Sequence, residues 1–350
     1  MTDASARPVE PSPGRERPLP AQRVAPDGRA RIDYRAITAL ALPLMVNSSL
    51  QAVINLTDTW FVGHISTTAM AGMAAIFWLV FFFVMLVGGI GLGVQTFVAQ
   101  YEGSGRRWRA GHATWVGLWG AAATLPLFVL LGWYGGMLLA PFGLDPLVER
   151  HALEYWWPRM LGAPLGVALW AVLGFFNGVS RPRVTVMTTT IVAGINVVLN
   201  QLLIFELGWG MAGAAWATNI SMVCGLCLAL WLFALAAFLR ADLRHTYRTH
   251  LTWRPDAANL WREFKLGLPM GAMYAADLFG MALFALMQVR LGEVDGATTQ
   301  IVVMLTSIAY LPGVGLALAG TNLVGRAKGA GEREWGRRLG NAENVTNDAY

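Results

Sequence analysis

Charge is what this 350-residue sequence holds back. Only 13% of its residues are charged, where a soluble domain carries roughly 25%, and that shortage excludes an ordinary water-soluble globule. Cysteine is scarce too. The two present, Cys224 and Cys227 in VCGLCLAL, have a CxxC spacing, but no second Cys pair and no His accompanies them in that stretch. A disulfide framework and a complete zinc site are therefore excluded, which leaves two small apolar residues in a helix. The five His (64, 112, 151, 245 and 250) fall in or beside loops. That disfavours a metal or nucleophile–base centre at membrane depth, and with it a membrane-embedded acyltransferase or protease.

What fills the space is apolar: 55% of the residues are hydrophobic. Eight runs, at 37–62, 70–101, 112–139, 160–178, 184–206, 211–239, 264–290 and 296–325, are each long enough to cross a bilayer core of about 30 Å as a helix. Gly and Pro within them do not argue against helices, because neighbouring helices and polar side chains satisfy the freed backbone groups. The expected fold is an all-α polytopic membrane protein. GGIGLG at 88–93 lies inside the second run with no strand before it, so it reads as a close-packing helix face and not a nucleotide loop. Residues 1–31, rich in Pro and Arg, are expected to be a disordered tail. The first run is too long for a signal peptide and reads as an uncleaved start-transfer segment. All but three of the 26 Lys+Arg (Arg150, Arg159 and Arg290) fall on the side where the chain starts. That asymmetry places both ends in the cytoplasm of a multi-pass inner-membrane protein. It also accounts for the net charge of +5 without any nucleic acid. Trp60, Trp156, Trp157, Trp209 and Trp253 fit an interfacial belt, with Trp156 and Trp157 alternatively guarding an outer vestibule.

One acid stands out. Asp58, in INLTDTWFVGH, sits late in the first run, where a carboxylate costs roughly 2.5–3.5 kcal/mol on insertion scales at a helix centre. It is expected to face the bundle interior or a water-filled cavity. Desolvation and a nearby cation pull such a group toward opposite charge states, as exchange of a proton for a cation requires. The alternative is a structural Asp bonded to Asn or Thr. Asp277 is the one acid well inside the seventh run.

The chain also repeats itself. ALPL (41–44) returns as GLPM (267–270), and GGIGLGVQTFVAQYEGSG (88–105) as VGLALAGTNLVGRAKGAG (314–331). One offset relates both pairs, and the two copies start from the same face. This predicts a parallel repeat, with halves that alternate access about a site near the midplane, as in secondary transporters. The expected divisions are the tail (1–31), a first six-helix lobe (32–240), a cytoplasmic linker (241–263), two helices of a second lobe (264–338) and a polar end (339–350).

These segments, with GFFNGVSRPRVTVMTTTIVAGINVVLNQLLIF, GMAGAAWATNIS and LGLPMGAMYAADLF, resemble the multidrug and toxic compound extrusion (MATE) family from about Asp33 to Arg338. The resemblance implies an antiporter that exports organic cations or amphipathic drugs in exchange for protons or sodium ions, with no other cofactor and as a monomer when complete. Its cation site maps onto Asp58, Asn196, Asn200 and Thr218. Asn200 stands where many members carry Asp, which puts sodium at Asp58 in doubt and tilts the expectation toward a proton. Asn196 and Asn200, i and i+4, share one helix face, although Asn and Thr also serve as interhelical glue. Asp277 corresponds to an acidic position of the seventh helix and, with Tyr274 and Met273, is the candidate for binding substrate. Such a family has twelve helices, so a chain with eight is expected to be a fragment or a truncated product. A lipid-linked oligosaccharide flippase of the same superfamily is the rival carrier. It is disfavoured because the runs hold acids and almost no Arg or Lys.

Overall fold

The computed structural model describes residues 19–24, 30–235 and 246–348, with side chains for all of these except 235 and 343–348. Among them, eight helices are long and apolar enough to cross a membrane. They are α1 (Tyr34–Gly63), α2 (Thr67–Gly103), α3 (Arg107–Trp133), α4 (Pro146–Gly178), α5 (Pro182–Glu206), α6 (Gly210–Ala234), α7 (Ala257–Leu291) and α8 (Glu293–Gly329). A short ninth helix, α9 (Arg333–Asp348), follows. The architecture is an all-α, polytopic membrane fold of one six-helix lobe and the first two helices of a second.

Two helices start well before their apolar runs. At α4 the Asp145 carboxylate accepts from the Leu147 amide, with Pro146 in the first turn and Glu149 beside it. At α7 Asp256 accepts from the Ala258 and Asn259 amides. Both are ordinary N-terminal signals. Hydropathy alone misses them because the first turns are polar. The linker is shortened accordingly: its described part ends at Asp256 and not at 263, and 236–245, with the expected end of the sixth run at 239, lie outside the described residues.

The described part of the linker is docked, not loose. Trp115 and Trp119 of α3 donate their indole N–H groups to the carbonyls of Thr249 (2.6 Å) and Trp253 (2.8 Å). His112 meets the Thr252 carbonyl at 3.0 Å through Nδ1. The Tyr247 hydroxyl donates to Glu102 at 2.9 Å. Burial, with the carboxylate beside it, pushes that phenol well above its ordinary value.

At the amino end, part of the expected disordered tail is ordered. Gln22–Val24 pairs antiparallel with Ala30–Ile32. The cause is α9, whose Trp335 is buried and donates to the Pro20 carbonyl at 2.9 Å. Leu19, Ala21 and Ile32 pack with Trp335 and Leu339 on α1 and α8. The remainder of residues 1–31 lies outside the described residues.

α4 forms the heart of the first lobe: 83% of its apolar window is buried, against 28% for α7 and 17% for α8. One flank of α7 and α8 closes on α2 and α1, and the rest stays uncovered. The repeat reappears as reciprocal contacts. Gly103 at the end of α2 lies against the backbone of Arg326 in α8, and Gly329 at the end of α8 lies against the backbone of Gln100 in α2. Each residue of one contact stands at the repeat-equivalent position of the other. A methyl group on either glycine would collide with a carbonyl, so backbone approach this close requires glycine there.

Candidate cation-coupling site

Asp58 lies toward the far end of α1, about 36 Å from Tyr34 at 1.5 Å per residue. It is 4% exposed. Two other helices close on it. Asn196 and Asn200, one turn apart on α5, have no exposed surface, and Thr218 of α6 is buried. The Asn200 amide donates to Asp58 Oδ1 at 2.6 Å and to Asn196 Oδ1 at 3.1 Å. The Thr218 hydroxyl stands 3.1 Å from Asp58 Oδ2, and the Asn196 amide donates to Thr218 at 3.5 Å. The helix widens into a π-helical turn over Gln201–Glu206, immediately after Asn200. Such turns are found often where a side chain must be set at a site.

The arrangement has a spare connection. Thr218 Oγ1 is also 3.1 Å from the Ala214 carbonyl, yet a hydroxyl has one proton to give. With Asp58 ionised, Thr218 donates to the carboxylate. With Asp58 protonated, the acid can donate to Thr218 and Thr218 to Ala214. The site can thus accept a proton by re-aiming one hydroxyl, without breaking a helix. Asn200 Oδ1 is buried with no hydrogen-bond partner among the described residues.

A buried cation accompanies the acid. Arg159, placed by its sequence outside the apolar runs, lies inside α4 at 8% exposure, because that helix starts at Pro146. It is a single buried cation in spans read as holding almost no Arg or Lys. Its Nη1 donates to Asn219 Oδ1 at 3.2 Å, and Asn219 donates to the Pro158 carbonyl at 2.5 Å. Its charge acts on both Asp58 and Tyr155. Its Nε has no partner among the described residues. The Asp-Pro start of α4 was the signal that could have found Arg159. Tyr155 and Asn219 carried no such mark.

Asp277, Tyr274 and Met273 are not part of this cluster. All three are exposed on α7, with Met273 and Tyr274 one turn before Asp277, where Asp277 and Tyr310 of α8 act electrostatically on Tyr274. Trp156 leaves the expected belt: it is 1% exposed and donates to the Leu131 carbonyl at 3.0 Å. Trp60, Trp157, Trp209 and Trp253 are exposed. Cys224 and Cys227 are free thiols on the exposed surface of α6.

The MatE family model matches residues 43–202, which include Asp58, Asn196 and Asn200. Multidrug resistance protein MdtK of Klebsiella pneumoniae (strain 342) is 29% identical over 315 residues, or 86% of this chain and 66% of that protein. The chain thus spans slightly under two thirds of that relative. Among solved structures, a MATE crystallised in the bent conformation superposes with a TM-score of 0.71 at 22% identity, over 89% of this chain and 68% of the other. A MOP superfamily transporter from Pyrococcus furiosus Vc1, described as having a binding pocket of reverse polarity, superposes with a TM-score of 0.68 at 25% identity, over 87% and 67%.

Proposed function

We propose that this chain is a member of the MATE family and serves a secondary antiporter that moves cationic or amphipathic small molecules out across the inner membrane in exchange for protons or sodium ions. The observation that carries the reading is the carboxylate of Asp58, enclosed by Asn196, Asn200 and Thr218 from two further helices. An acid held this way responds to an ion. A ligand moves a conformational equilibrium only by its differential affinity for the two states. Protonation of Asp58 favours whichever arrangement of the lobes binds that proton more tightly. The proton is favoured over sodium on two grounds: Asn200 supplies an amide in place of a second carboxylate, and Arg159 already brings a positive charge close by. The exposed face of α7 with Asp277, Tyr274 and Met273 is the proposed contact for substrate, and the face where the chain starts is assigned to the cytoplasm from its arginines.

The test uses the chain in membrane vesicles, with ethidium as substrate and with proton and sodium gradients imposed separately. Efflux driven by the proton gradient is expected, and Asp58→Asn is expected to abolish it. Undiminished gradient-driven efflux by that variant would remove Asp58 from the mechanism. Efflux driven by sodium alone would reassign the ion.

A further inference from the structure

A cavity of about 800 Å³ opens on the face where the chain starts, between α1, the α4–α5 turn, the end of α6 and α8. Its mouth and its floor differ in chemistry. At the mouth stand Ser180, Arg181, Arg183 and Arg326; among the described residues its lining includes no Asp or Glu. The floor is apolar, with Ala39, Leu40, Pro43, Phe176 and Leu323 among its residues.

Among the described residues, Arg326 is only partly used by the protein itself. Arg326 gives one Nη1 bond to Ser180 at 2.8 Å, while its buried Nε has no partner among the described residues. Arg181 and Arg183 flank Pro182 at the start of α5, and Arg181 also acts electrostatically on Tyr247 of the linker. The backbone of Ser180 is left-handed, at φ +60°, which is uncommon for a side chain other than glycine. It turns the chain so that both arginines reach the same opening. The first amides of α5 add their partial positive charge to the three guanidinium groups.

Depth separates the two chemistries. Arg326 lies one turn before the end of α8, and Arg181 immediately precedes α5, so the charged mouth is at headgroup level. Pro43 lies about 10 Å deeper along α1 than Ala36 at the rim, at 1.5 Å per residue, which puts the floor among acyl chains. Free phosphate would use only the mouth. A hydrophobic drug would use only the floor and gain nothing from three cations. The volume lies within the range of small-molecule sites.

We propose that this cavity is a binding site for one anionic phospholipid, its phosphate held by Arg181, Arg183 and Arg326 and the start of an acyl chain lying against Leu40, Pro43 and Phe176. The site is separate from Asp58, and it stands whether or not the chain carries drugs.

The test is native mass spectrometry of the full chain released from bilayers of phosphatidylcholine doped with phosphatidylglycerol. One retained phosphatidylglycerol per chain is expected, in preference to phosphatidylcholine. At roughly fivefold per basic residue, the double variant Arg181→Gln/Arg183→Gln is expected to lose about thirtyfold of that preference. Ala39→Trp, which fills the floor and leaves the charges, is expected to lose retention of either lipid. It also serves as the second probe should the double variant fold poorly. Inorganic phosphate in excess is expected to leave the adduct in place. Equal retention of the two lipids, an unchanged preference in the double variant together with unchanged retention in Ala39→Trp, or displacement by inorganic phosphate would each overturn the proposal.

Discussion

At the scale of single residues, the buried polar groups divide by whether they have partners. Asp58 has three. Glu263 of α7 has none that the described residues supply to its Oε2, although it is 3% exposed and lies beside Gly117 of α3. No charged group among the described residues acts on it. A buried charge without a partner is costly, whereas a neutral isostere of the same shape is not. Glu263→Gln is therefore expected to unfold at the same temperature as the parent protein or higher, by thermal denaturation in detergent at neutral pH. A loss worth more than about 1 kcal/mol would mean that the carboxylate has a partner it depends on. The polar neighbours of Asp58 show how far residues speak for themselves in a sequence. The Asn196–Asn200 spacing placed two amides on one face, but nothing local brings α5, α6 and α1 together. That assembly follows from α5 packing directly on both α1 and α6, and only resemblance to relatives anticipated it.

Elements were legible by their apolar middles and poorly legible by their ends. The α4 and α7 apolar runs were found, but their polar first turns were taken for loop, and this is how Arg159 and Glu263 came to be placed outside the membrane helices. The hairpin near the amino end was illegible for another reason: its strands are held by Trp335, some 300 residues away. The start of α7 offers a test at this scale. Asp256 holds the first turn through the Ala258 and Asn259 amides, and those hydrogen bonds bring its carboxyl below the ordinary value of 3.8. A depressed folded value means that the cap contributes fully above the unfolded value and fades as pH falls through the folded one. Hydrogen exchange at Ala258 and Asn259 is expected to show protection that weakens in acid. In Asp256→Asn the protection is expected to persist without that acid dependence, because Asn caps about as well. Equal acid sensitivity in both proteins would place the effect elsewhere.

For the whole molecule, the repeat makes a quantitative demand. Gly103 and Gly329 occupy equivalent places, each against a carbonyl-bearing backbone of the other half. Gly103→Leu and Gly329→Leu are expected to destabilise by similar amounts, about 1–3 kcal/mol as for other overpacked sites, read as matching drops in unfolding temperature. A large effect at one and none at the other would mean that the symmetry is decorative.

That same pair of glycine contacts has a mechanical reading. Two close points of backbone contact, one on either side of the repeat axis, define a line. Turning one half about that line leaves both contacts intact, whereas sliding it along the membrane shears both together. Close backbone contacts of Gly89 with Gly267 and of Gly315 with Leu44 lie along the same interface, so sliding is resisted along its length and any turning of the halves must part some of these contacts.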